Sequence, residues 1–121
     1  MKLAITSVGK SLDSAIDERF GRARYFLVVE SDTGEILDFV DNVERQHAAH
    51  GAGVQAAQAV TEKNVEWLIT GNIGPNAFSL LSAAGVKIGT GAEGTVRDVL
   101  EKFKAGGFEA AGGATSGGHM R

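Results

Sequence analysis

Glu66-Trp-Leu-Ile-Thr-Gly-Asn-Ile-Gly-Pro-Asn-Ala-Phe78 passes from an apolar run through two glycines into a helical pattern, and that passage decides the fold class. The run at 66–70 reads as a short buried strand. Pro75 suits the first helical turn, where its missing N–H costs nothing, and Gly85 stands where a left-handed residue would end the helix. The same alternation extends in both directions: a helix is expected over 53–63, a strand over 86–88 and a helix over 95–104. Strands alternating with helices mean an α/β domain. In the last helix Val96, Val99, Leu100 and Phe103 form one apolar stripe, and Thr95 with Asp98 makes a capping box. Upstream, residues 3–8 read as a brief first strand and 10–18 as a polar loop. The runs 25–29 and 36–40 flank Ser31-Asp-Thr-Gly34, the composition of a tight turn, so they are expected to pair as an antiparallel hairpin. Its acids, Glu30, Asp32, Glu35, Asp38, Asp41 and Glu44, read as a solvated face.

The chain of 121 residues is long enough for one core and is expected to form one domain over 1–105. In 105–121 six of seventeen residues are glycine, and the large apolar side chains are Phe108 and Met120. That composition predicts a flexible tail over 106–121 with too little burial to offset ordering entropy. A net charge of −3 gives no basic field for nucleic acid. The absence of cysteine excludes disulfides and thiolate-held zinc or iron–sulfur centres built by this chain. With no signal-like start and no apolar stretch of membrane-spanning length, a cytoplasmic protein without a membrane partner is expected.

Two glycine-rich segments, His47-Ala-Ala-His-Gly-Ala-Gly53 and Gly71-Asn-Ile-Gly-Pro-Asn-Ala-Phe78, each run straight into a helix. Glycines permit close backbone approach, and the first turn of a helix presents unpaired N–H groups and positive dipole. The expected ligand is therefore an anion.

The order of Asp17-Glu-Arg-Phe-Gly-Arg-Ala23 before an apolar strand, then Asn42, then Gly51-Ala-Gly53 opening a helix, then Thr70-Gly-Asn-Ile-Gly-Pro-Asn-Ala-Phe78, resembles the dinitrogenase iron–molybdenum cofactor biosynthesis family, which includes NifX-type carriers and the C-terminal domain of NifB-type proteins. The resemblance covers residues 1–105. It implies a three-layer α/β/α domain similar to ribonuclease H, with a five-stranded mixed sheet whose second strand is antiparallel. It also implies non-covalent binding of an anionic metal–sulfur cluster, the iron–molybdenum cofactor, a precursor or a related heterometal cluster, during assembly or delivery. Cluster donor and acceptor proteins are the implied partners. The cysteine-rich radical domain that builds clusters in fused relatives has no counterpart here, so a non-catalytic carrier is expected.

Each candidate residue has an ordinary reading beside the functional one. His47 and His50 share a face if their segment is helical and could then ligate a metal or a cluster edge; in a loop they are solvated. Arg22 could face the anion, or Arg19, Arg22 and Arg24 could form local ion pairs around a buried Phe20. Gly51, Gly53, Gly71 and Gly74 could be loop geometry alone, but Asn72 and Asn76 add amide donors where an anion would lie. Trp67 and Phe78 read as core.

Two other functions remain beside the carrier: a regulatory module binding a nucleotide or phosphorylated metabolite at the same helix starts, and a purely structural interaction module. A ribonuclease H-like nuclease would need metal-binding carboxylates on the first strand, and Lys2-Leu-Ala-Ile-Thr-Ser-Val8 has none.

Overall fold

A computed structural model describes residues 1–46 and 51–115. The strands are β1 (Lys2–Ser7), β2 (Tyr25–Glu30), β3 (Ile36–Asp41), β4 (Trp67–Ile69) and β5 (Lys87–Gly89). The helices are α1 (Val43–Gln46), α2 (Ala52–Thr61), α3 (Pro75–Ala83) and α4 (Val96–Lys104). One five-stranded sheet runs in the order β3-β2-β1-β4-β5, with β2 antiparallel to both neighbours and β1, β4 and β5 parallel. This is the expected mixed sheet.

The period of two in β1 builds the layers. Leu3 and Ile5 face one side with Leu27, Val29 and Ile69, and the stripe Val96, Val99 and Leu100 of α4 covers them. Ala4 faces the other side with Phe26, Val28, Leu68 and Ile88, beneath Ala56, Ala57 and Val60 of α2 and Ala77 and Leu81 of α3. The result is a three-layer α/β/α domain. Small residues on the inner faces of α2 and α3 let these helices lie close to the sheet and to each other. Trp67 and Phe78, expected in the core, are half-buried at its margins, with Trp67 edge-on to Phe103 at 5.3 Å.

The hairpin forms as expected, with a bulge opposite Val28 and Val29 that the alternation of β3 does not announce. β3 is an edge strand, and its open side is guarded: the Phe39 N–H donates to Asp38 Oδ1 at 2.7 Å, and Lys10 Nζ lies 4.7 Å from the Phe39 ring centre. The helix punctuation also holds. Pro75 opens α3, Gly85 follows it at φ 83°, and Thr95 and Asp98 form the capping box of α4. The short α1 was not expected; four residues carry no helical period.

Residues 107–115 are exposed apart from half-buried Phe108 and Ala111, yet backbone hydrogen bonds tie them to the domain. Gly107 N–H donates to Lys102 O at 2.8 Å, Phe108 packs half-buried on the α4 side of the sheet, and Ala111 N–H donates to Ile88 O at 2.7 Å. Thr115 N–H donates to Ile73 O at 2.9 Å. Backbone bonds to a sheet edge leave no trace in side-chain composition. No helix among the described residues is long and apolar enough to cross a membrane.

Candidate functional site

The loop after β1 and the loop after β4 meet beyond the carboxyl ends of the parallel strands. Thr6 starts this arrangement: its hydroxyl, fully buried, donates to Asp17 O at 2.7 Å and pairs with Thr70 Oγ1 at 3.0 Å. Asp17 then folds its own loop, its carboxylate accepting the N–H groups of Arg19 and Arg24, both at 3.3 Å. Segment 18–20 lies beside the glycine loop, with Asn72 N–H donating to Glu18 O at 2.7 Å and Phe20 N–H to Asn72 O at 3.1 Å. Gly71 is required by this approach, because a Cβ there would stand 2.7 Å from Glu18 O.

The next turn of the same loop packs on α2. A Cβ on Gly21 would lie 2.9 Å from Gly53 Cα, so backbone touches backbone. Buried Asn42 holds that turn, its Nδ2 donating to Gly21 O at 3.3 Å and Ala23 O at 2.8 Å. Asn42 Oδ1 has no partner among the described residues.

Around this packing lie three adjoining clefts. The first, of about 200 Å³, is lined by Gly51, Gly53 and Val54 at the start of α2, Gly74, Asn76 and Ala77 at the start of α3, and the Phe20–Gly21 turn. Gly51 and Gly74 are the N-caps, and among the described residues neither helix has a side-chain cap. Two helix N-termini therefore point uncapped N–H groups and positive dipole ends at one depression. The second cleft, of about 320 Å³, shares Phe20, Gly21 and Gly74 with the first and adds Arg19, Arg22 and Asn72. The third, of about 260 Å³, shares Asn72 and adds Glu18, Gly71, Gly91 and Glu93.

Of the residues singled out from sequence, Gly51, Gly53, Gly74 and Asn76 thus line the first cleft, Arg22 and Asn72 the second, and Gly71 the third. His47 and His50 lie outside the described residues. Among the described residues no group of three or more His, Cys, Asp or Glu could hold a metal ion. The local ion-pair reading applies to Arg24, which pairs with Asp41 and stacks 4.3 Å from the Tyr25 ring, and to Arg19, whose Nε is 4.0 Å from Asp17. Phe20 and Gly21 escaped the sequence reading as lining residues. Their signal was present in the Phe-Gly-Arg string, but only the fold brings it against α2 and α3.

The fold and the site together define a small α/β/α domain with an anion-suited cleft at the ends of its parallel strands. The chain belongs to the dinitrogenase iron–molybdenum cofactor family, whose model matches residues 1–106. It is similar to the apo form of the orange protein from Desulfovibrio gigas, at 40% identity and a TM-score of 0.89 over 95% of this chain and 96% of that one. It is also similar to a provisionally assigned NifB protein from Thermotoga, at 39% identity and a TM-score of 0.80 over 97% and 98%. An uncharacterised protein of Methanocaldococcus jannaschii is 26% identical over 112 residues, 90% of this chain and 94% of that one.

Proposed function

We propose that this protein is a non-catalytic carrier that holds an anionic metal–sulfur cluster, the iron–molybdenum cofactor, a precursor or a related species, as cargo between a donor and an acceptor protein. The observation that carries this reading is the convergence of two glycine-capped helix N-termini, those of α2 and α3, on one cleft. Membership of a family described by the iron–molybdenum cofactor supports a metal–sulfur cargo over other anions. A similar chain is described in an apo form, which accords with a reversible ligand.

In this reading the N–H groups opening α2 and α3 and the amide of Asn76 donate to the cluster's surface atoms, Phe20 floors the cleft and Arg22 supplies a full positive charge at its margin. His47 and His50, immediately before Gly51, are the proposed metal-edge ligands. With no thiolate in the chain, affinity rests on many weak donors, so cargo leaves on dilution or chelation. Protein isolated without oxygen should carry molybdenum or another metal together with sulfide, and should lose both to a chelator. Colourless, metal-free protein that retains a nucleotide or phosphorylated metabolite would instead establish the regulatory alternative at these helix starts.

A further inference from the structure

We infer that Thr115 is a positioning residue for the candidate site, clamping the glycine loop 71–74 from the side opposite Phe20. The inference rests on the reading of that loop as part of the cargo site. In an extended segment, consecutive residues turn their backbone polar groups to opposite sides. Asn72 spends both of its groups on one side, its N–H on Glu18 O and its C=O on Phe20 N–H. Ile73 spends both on the other: its N–H donates to Thr115 Oγ1 at 2.9 Å, and its C=O accepts the Thr115 N–H at 2.9 Å. The loop is thereby the middle rung of a small ladder, with 18–20 on one flank and Thr115 on the other. Asn72 and Gly74 line the clefts, whereas the Ile73 side chain is 1% exposed in the core beneath α2 and α3.

Thr115 is delivered to this place by residues 107–114, which cross the β5 edge from the α4 layer to the α3 layer. Phe108 anchors the crossing beneath Lys102, whose Nζ stands 4.5 Å from the ring centre. Gly89 makes room for it, since a Cβ there would lie 3.1 Å from Phe108 Cδ1. Ala111 pairs with Ile88 midway. The strap shields the β5 edge and ends on the loop that opens α3. Losing the Thr115 hydroxyl leaves the Ile73 N–H without its acceptor and that flank of the loop held by the Thr115 N–H alone. The uncapped N–H groups at Gly74 and Asn76 then lose their register with those of α2.

The test uses the full chain, its Thr115→Val variant, which keeps the β-branched shape, and Thr115→Ser, which restores the hydroxyl. Two readouts are taken: amide hydrogen exchange at Ile73 against Asn72 and β1, and anaerobic affinity for tetrathiomolybdate, a small molybdenum–sulfur anion. Thr115→Val should speed exchange at Ile73 by roughly threefold to tenfold, the factor of one neutral hydrogen bond, and weaken the anion by a similar factor. The unfolding midpoint should fall by only a few degrees, the exchange of Asn72 should stay unchanged, and Thr115→Ser should return both readouts toward wild type. Unchanged exchange at Ile73 overturns the clamp, and faster exchange with unaltered affinity overturns its positioning role. Wild-type protein that ignores the anion counts against the carrier reading, while Ile73 exchange still decides the clamp.

Discussion

At the scale of single residues, the site makes separable demands on glycine and arginine. Gly74 has φ −82° and ψ 170°, an extended conformation open to any residue, so Gly74→Val should fold and fill the cleft mouth. Its circular dichroism should match wild type while cluster binding is largely lost. Gly71→Ala should behave differently: its Cβ would meet the Glu18 backbone, and we expect destabilisation of about 1–3 kcal/mol by denaturant unfolding. Arg22→Ala should weaken cargo by about 1.5–3 kcal/mol through one lost charge-assisted contact, with circular dichroism still showing a folded domain. The chemistry of this site was legible in the sequence because glycine, asparagine and arginine advertise backbone approach and donor capacity. Gly21 was legible only in part: nothing in Phe-Gly-Arg reveals that a Cβ there would meet Gly53 Cα.

At the scale of elements, capping residues and charges decide how well each piece is held. The Thr95 hydroxyl accepts the Asp98 N–H at 3.1 Å, and the Asp98 carboxylate accepts the Thr95 N–H at 3.0 Å, so Thr95→Ala should cost about 1 kcal/mol of stability in thermal or denaturant melts. On β3, the hydrogen bond from Lys63 holds the Asp38 carboxyl below its usual range, and the N–H of Val43 does so for Asp41. A carboxyl whose folded-state pKa is depressed adds stability above its ordinary range, and that contribution disappears as pH falls through the folded value. The melting temperature should therefore drop as pH falls below about 4, with Asp38→Asn flattening the slope; the effect is small because both groups are exposed. The three long helices and the hairpin were legible from period, caps and turn residues. α1 was not, because four residues span barely one turn, and the strap of 107–115 was not, because Ala111 and Thr115 act through backbone groups that pattern with no side chain.

At the scale of the whole molecule, the sheet order brings together segments far apart in sequence. Residues 17–24 after β1, the start of α2 and the loop after β4 converge because β1 and β4 are parallel neighbours and both end on the same side of the domain. An α/β sheet gathers ligands at that end, where loops part to opposite faces. The alternation of strands and helices foretold this much. The pairing of two uncapped helix starts in one cleft follows from the α2–α3 packing, in which a Cβ on Gly53 would rest 3.6 Å from Ala77 Cβ, and no sequence period reports it. The measurement that bears most directly on the central claim is an anaerobic titration of the nitrogen-15-labelled full chain with tetrathiomolybdate, followed by amide chemical shifts. A carrier of this geometry should form a saturable complex whose largest shifts fall on the amides of Gly51, Ala52, Gly53, Gly74, Asn76 and Ala77, reversed by dilution. Shifts confined to other faces of the domain, or none at concentrations that saturate a micromolar site, would contradict it.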